Sequence, residues 1–142
     1  MKKIIYDVGS NNGDDIPYYL LKSDLVIAIE ANPKLCNLIN ERFNKEISQG
    51  KLVVENCVVQ NEESNGDVSF YLHKTNHVLS CFPTPKNIQD FEEIKIQSKN
   101  ILQIIKKYGE PFYIKIDIEG SDYSILSAIL NNKIFPPYIS CE

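Results

Sequence analysis

The 142-residue sequence predicts an α/β sandwich, a mainly parallel sheet held between two layers of helices. Three observations point there. Apolar runs of strand length alternate with stretches whose apolar residues recur at helical spacing. Several of the runs are continuous rather than alternating, as strands covered on both faces require. Glycine, proline, asparagine and aspartate punctuate the transitions between them.

In chain order, residues 4–8 read as a buried strand that ends at Gly9, with a tight loop through Gly13. Asp14 or Asp15 is placed to cap the next helix, and Pro17 suits a first helical turn. Residues 25–29 form a second buried strand closed by Glu30, and Asn32-Pro33 is a cap followed by a first turn. Leu35, Leu38, Ile39 and Phe43 at helical spacing predict one helix over 33–47. Gly50 precedes a third strand within 52–59, Asn65-Gly66 signals a turn, and 68–72 reads as an additional strand. Residues 73–90 are an irregular loop, and 94–97 a short alternating strand. Ser98 is placed to cap a helix over 99–108 that Gly109 ends. A buried strand follows at 112–118, then a helix capped by Ser121 or Asp122 with Ile125, Leu126, Ile129 and Leu130 on its apolar stripe. Residues 138–141 begin one more strand. Parallel strands joined through helices imply right-handed crossovers, and no interior boundary divides residues 1–142 into two domains.

Composition narrows the function. A net charge of −4 and scattered lysines argue against a nucleic-acid surface, which needs a basic patch. The densest basic point, Lys106-Lys107, reads as a solvated helix face. Met1-Lys2-Lys3 runs directly into a strand, so no secretory leader is expected. No apolar run approaches the roughly 20 residues that cross a bilayer. Cys36, Cys57, Cys81 and Cys141 lack metal-site spacing and read as reduced thiols, so the expected setting is cytoplasmic and no metal-ligand residues are assigned.

The first chemical motif is the loop after the first strand, Asp7-Val8-Gly9-Ser10-Asn11-Asn12-Gly13-Asp14. A dinucleotide site would carry GxGxxG here to cradle a pyrophosphate. This loop reads DxGxNxG with acidic flanks, which suit the zwitterionic tail and cationic sulfonium of S-adenosylmethionine better than phosphates. Glu30, at the end of the second strand, is placed to accept both ribose hydroxyls, a contact that nicotinamide and adenosylmethionine sites share. Alone it reads equally well as a solvated strand-end acid; after the glycine loop, the ribose reading is favoured. The third motif is Tyr113-Ile114-Lys115-Ile116-Asp117-Ile118-Glu119-Gly120. Strand spacing would turn Asp117 and Glu119 to one side, to hold or orient an acceptor hydroxyl or to share a metal ion. Otherwise one of them caps the following helix.

Taken in order, DVGSNNGDD, AIEANP, EEIKIQSKNILQIIKKYG, YIKIDIEGSDYSIL and PYISCE resemble the FkbM-type methyltransferases, within the Rossmann-like class I fold. The resemblance covers nearly the whole chain. It implies S-adenosylmethionine as cofactor and O-methylation of a small hydroxylated acceptor, often a sugar. It implies that Asp7, Gly9, Asn11 and Gly13 line the methionine end, that Glu30 takes the ribose, and that Ala31 and Asn32 lie beside the adenosine. Asn56 or Cys57 would approach the adenine, Ser80 the cofactor and acceptor, and Asp117 the reacting centre, with Glu119 second to it. His73 and His77, in the irregular loop, read as bystanders.

Class I folds continue past the fifth strand with a helix and an antiparallel strand pair. Here the sequence stops in that strand, so the expected sheet lacks the pair: either the domain is truncated, with part of the acceptor wall then absent, or its edge is closed some other way, for example by another subunit. The open edge makes self-association an expectation. Two rival readings are a nicotinamide-dependent oxidoreductase and a non-catalytic adenosylmethionine-binding module.

Overall fold

The computed structural model describes residues 1–61, 66–76, 80–82 and 84–142. Strand β1 (Ile4–Val8) is buried along its whole length, which is why its sequence is continuously apolar apart from Asp7. It lies between β2 (Leu25–Glu30) and β7 (Tyr113–Ile116). Outside these lie β3 (Leu52–Asn56) and β8 (Tyr138–Cys141), and all five strands run parallel in the order β3-β2-β1-β7-β8. Strand order reverses between β1 and β7, the position where open α/β sheets bind ligands.

Helices cover both faces. Ile4, Tyr6 and Val8 of β1, with Ile27, Ile29, Ile114 and Ile116, pack against α4 (Ile101–Tyr108) and α5 (Asp122–Asn131). Ile5, Val26, Ala28 and Leu52 pack on the other side against α1 (Ile16–Lys22) and α2 (Pro33–Arg42). Each buried aliphatic side chain contributes roughly 1.5–3 kcal/mol, so the sheet's two apolar faces dominate the stability. The three-layer sandwich read from the sequence is thus the observed architecture.

A second, smaller sheet stands over the carboxyl ends of the first. Its central strand β6 (Phe91–Asn100) pairs in parallel with β4 (Val58–Gln60) and antiparallel with β5 (Asp67–His73). Val58, Phe70, Leu72 and Ile96 form its own small core. Buried Glu55 fastens this sheet to the main one: its carboxylate accepts from Lys99 of β6 and from Lys107 and Tyr108 of α4. Burial pushes that carboxyl up, but Lys99 and Tyr108 outweigh it and hold it below the ordinary glutamate value.

Several expected boundaries move. The single helix over 33–47 is α2 and a short α3 (Asn44–Ser48), broken at Phe43, whose backbone (φ −120°, ψ 29°) leaves helical geometry while its side chain is buried. The strand within 52–59 is two strands in different sheets, because the Cys57 N–H (3.2 Å) and the Asn56 side-chain amide (3.0 Å) both turn back to the Glu30 carbonyl. The short strand at 94–97 extends through all of β6; its inward positions 98 and 100 hold polar Ser98 and Asn100, which hide the alternation. Asn100, not Ser98, caps α4, accepting from the Leu102 N–H at 2.7 Å. The strand at 112–118 shortens to β7. Neither Asp14 nor Asp15 makes a side-chain cap to α1, and Ser121 makes none to α5; Asp122 accepts instead from the Ile118 N–H at 2.9 Å. Asn32 caps α2 as expected, accepting from Lys34, and Gly109 ends α4. The Asn65 turn position, His77 and Pro83 lie outside the described residues.

Gly9 has φ +93°, and a Cβ there would stand 1.9 Å from the Asp117 carbonyl oxygen. The missing side chain therefore lets the end of β1 meet the end of β7. Gly9→Ala is expected to destabilise the chain by roughly 2–4 kcal/mol in denaturant unfolding, because it adds a backbone clash to a strained φ. A loss under about 0.5 kcal/mol would show that the two strand ends part easily.

Candidate functional site

A cavity of about 280 Å³ opens at the carboxyl ends of β1, β2 and β7, under the small sheet. Its floor is the loop after β1, and that loop is held by the end of β2. The N–H groups of Gly9 and Ser10 both donate to the Ile29 carbonyl, at 2.9 and 3.1 Å. Asn11, with left-handed φ 52°, donates its N–H to Glu30 Oε2 at 2.8 Å. The other carboxylate oxygen, Oε1, accepts from the Asn32 N–H at 2.9 Å. Glu30 is thus a carboxylate with each oxygen fixed by one backbone donor. Burial raises its pKa, while the Asn32, Asn11 and Ala31 N–H groups pull the other way.

Eight of the expected residues border this cavity. Gly9, Asn11, Glu30 and Ala31 line its floor and one side. Cys57 and Ser80 lie under the small sheet, and Asp117 and Glu119 stand at the end of β7. Four do not border it. Asp7 is buried in β1, and Gly13 packs against Ile39, Ile16 and Phe43. Asn32 is buried as the α2 cap, and Asn56 ties its side-chain amide to the Glu30 and Ala31 carbonyls. Burial pushes the Cys57 thiol up to about 12, so it offers an apolar surface rather than a nucleophile. Ser80 Oγ accepts from the His73 N–H at 3.0 Å. His73 turns its Nδ1 to the N–H groups of Thr75 (3.2 Å) and Asn76 (3.0 Å), which commits that nitrogen to the turn.

Asp117 and Glu119 come together differently from the strand argument. β7 ends at Ile116, and Glu119 has φ 47°, so a turn and not strand alternation brings them together. A carboxylate oxygen from each of Asp117, Glu119 and Glu142 falls within 4.8 Å of the others. A hydrogen bond from Glu142 to Asp117, with the neighbouring negative charges, raises the Glu142 pKa. Such a cluster has the chemistry to hold a cation, or to share a proton with a bound hydroxyl.

Three contributors escaped sequence reasoning. Phe70 and Phe82 form part of the cavity wall and come from β5 and from the segment between β5 and β6. Lys115 lines the cavity and donates to Asp15 Oδ2 at 3.0 Å. Its signal was present as a charged residue inside an otherwise apolar buried strand.

The family model for the methyltransferase FkbM domain matches residues 7–141, and this chain belongs to that family. Among solved structures, methyltransferase FkbM from Methylobacillus flagellatus KT has the same fold, with a TM-score of 0.58 at 18% identity. The match covers 92% of this chain but 29% of that one, so this chain spans less than a third of its length. A comparison with curated proteins finds no match. No helix among the described residues is long and apolar enough to cross a membrane.

Asp7 beneath this site generates a pH dependence. Its side chain is 1% exposed, and its Oδ1 has no hydrogen-bond partner among the described residues. Burial pushes its pKa from 3.8 up to about 6; Lys115 pulls it down, and Asp15 and Asp117 add to the rise. The folded chain then holds this proton more tightly than the unfolded chain. The resulting stability is fully present below about pH 4 and is lost as pH rises through about 6, a loss on the order of 2–3 kcal/mol. Asp7→Asn, which cannot ionise, is expected to gain stability relative to wild type as pH goes from 4.5 to 7.5 in denaturant unfolding. The opposite trend would mark Asp7 as a well-compensated carboxylate.

Proposed function

We propose that this methyltransferase-family chain binds S-adenosylmethionine in the cavity over the β1 loop and serves O-methylation of a small hydroxylated acceptor, a sugar being one such class. The observation that carries the reading is Glu30. Its two oxygens are anchored by the Asn11 and Asn32 N–H groups and border the cavity, which leaves their remaining lone pairs for two vicinal ribose hydroxyls. The neighbouring wall is apolar, with Ile29, Leu35, Val58 and Phe70, and suits the faces of a purine.

The same loop disfavours a dinucleotide. The N–H groups of Gly9, Ser10, Asn11, Gly13 and Asp14 all donate within the protein, so they are spent before a pyrophosphate arrives. Asp14 itself accepts from Asn12 and Arg42, which hold it below the ordinary aspartate value. The cavity rim then carries Asp15, Asp117 and Glu119, which repel phosphate and attract a cation.

Bound S-adenosylmethionine supplies an electrophilic methyl carbon on a positively charged sulfur. In this reading Asp117 orients the acceptor hydroxyl and accepts its proton, and Glu119 supports it from the adjoining turn. Glu142 stands beside them, its pKa raised by a hydrogen bond to Asp117 and by the neighbouring negative charges. Buried Cys36 and Cys57 are free thiols, which supports a reducing, cytoplasmic setting.

The test is calorimetric titration of the whole chain with S-adenosylmethionine, S-adenosylhomocysteine and NAD⁺. Both adenosyl ligands are expected to bind in the micromolar range, and Glu30→Ala to weaken them by roughly 10- to 100-fold, the cost of charge-assisted hydrogen bonds. Preferential NAD⁺ binding would overturn the reading. Cofactor binding without turnover across a broad acceptor panel would instead favour a binding module.

A further inference from the structure

A second pocket, of about 450 Å³, opens between the end of β6, the helix α4 and the turn before β5. Among the described residues it shares no lining side chain with the cavity over the β1 loop. The two are nonetheless neighbours. Val58 and Val59 of β4 border the cavity, and their register partners on β6, Ser98 and Lys99, border the pocket. From α4 come Gln103 and Lys107, four residues apart and so on one face of the helix, and β6 adds Gln97. Glu55 also lines it, with Lys99 bonded to one carboxylate oxygen and Lys107 to the other.

Charge sets this pocket apart from the rest of the molecule. The chain is acidic, with a net charge of −4, yet the described lining residues here carry two ammonium groups against one carboxylate. That carboxylate is already engaged by Lys99, Lys107 and Tyr108. Burial pushes its pKa up, but Lys99 and Tyr108 outweigh burial, so it stays an anion and balances one of the two lysines. A single positive charge is left for the pocket to offer. Lys107 is the better placed to offer it. Its side chain is 62% exposed and 3.3 Å from Glu55, whereas that of Lys99 is 30% exposed. Each ammonium carries three donors, and Glu55 takes one from each. The exposed amides of Gln97 and Gln103 add neutral groups that both donate and accept.

We infer that this pocket is a second ligand site, for a small polar molecule bearing one singly charged oxyanion, which Lys107 holds with support from Lys99 while the Gln97 and Gln103 amides bind its uncharged polar groups. A carboxylate and a phosphodiester share that chemistry. A doubly charged group fits less well, because Glu55 leaves it only one positive charge to meet.

The test follows backbone amide shifts by NMR in the isotope-labelled whole chain, titrated with sodium acetate, sodium glycolate and sodium dimethyl phosphate. Choline chloride at matched ionic strength is the control. Saturable shifts in the millimolar range are expected at Gln97, Ser98, Lys99, Gln103 and Lys107, and the tighter of acetate and dimethyl phosphate identifies the anionic group. Lys107→Gln is expected to weaken the binding by roughly fivefold, the upper range for a partly exposed ion pair. Lys95→Gln, an exposed lysine of β6 that does not line the pocket, is expected to leave it unchanged. Gln103→Leu keeps both lysines and is expected to remove the advantage of glycolate, which carries a hydroxyl, over acetate; it remains a test if the Lys107 variant fails to fold. Shifts that never saturate, or that match those of choline chloride, would overturn the inference. So would equal weakening by Lys107→Gln and Lys95→Gln, or saturable shifts confined to the loop at Gly9–Asn11.

Discussion

The end of β2 is the point from which the site is organised. Three acceptors lie within two residues there. The Ile29 carbonyl takes the N–H groups of Gly9 and Ser10, and the Glu30 carboxylate takes those of Asn11 and Asn32. The Glu30 carbonyl takes the Cys57 N–H, the Asn56 amide and the Cys36 thiol. Strand β1's loop, the start of α2 and the β3–β4 junction are thereby tied to one short segment. Because β2 is buried in the main sheet, that segment cannot shift without disturbing both apolar layers. The site inherits the rigidity of the core.

This arrangement gives Glu30 two duties that pull against each other. A carboxylate half-buried beside Asp7 is costly as an anion, and its backbone donors offset part of the cost. Those donors also fix the direction of each oxygen before any ligand arrives, so little ordering remains to be done on binding. The glycines serve the same end by another route. Gly9 and Gly13 are required by contacts inside the protein, Gly9 against the Asp117 carbonyl and Gly13 against Ile39, Ile16 and Phe43. Close approach of β1 to β7 brings Asp117 beside the loop, which is how residues more than a hundred positions apart in sequence share one cavity.

What the sequence disclosed follows the range of the interactions involved. β1, β2 and their glycine loop were legible because apolar runs and turn residues act within a few positions, and Glu30 was legible because it ends such a run. The division of residues 52–60 was not. Val53, Val54, Val58 and Val59 are all strand formers, and the break at Cys57 depends on a carbonyl in another strand. β6 looked short because Ser98 and Asn100 fill inward positions with polar side chains. Phe70 and Phe82 carried no local signal of a cavity wall, since only the folding of the small sheet over β1 and β2 brings them there. Lys115 was visible as an anomaly in an apolar strand, but its partners Asp7 and Asp15 lie on other elements.

The two sheets consequently divide the site by chemistry. The large sheet contributes the fixed charges, Glu30 at the end of β2 and Lys115 and Asp117 at β7, each anchored by backbone that the core immobilises. The small sheet contributes mainly apolar cover, Val58, Val59, Phe70 and Phe82, and almost no charge. The cover is partial: the Lys115 side chain is 25% exposed and that of its partner Asp15 59%. The small sheet is held over the loop by its own apolar core and by ties to the main sheet. One such tie is the Glu55 cluster with Lys99, Lys107 and Tyr108, which joins β3 to β6 and α4 away from the cavity. A buried carboxylate with three donors is strongly destabilised if one is removed. Loosening that clamp is therefore expected to shift the apolar wall while leaving every cavity-lining residue in the sequence unchanged.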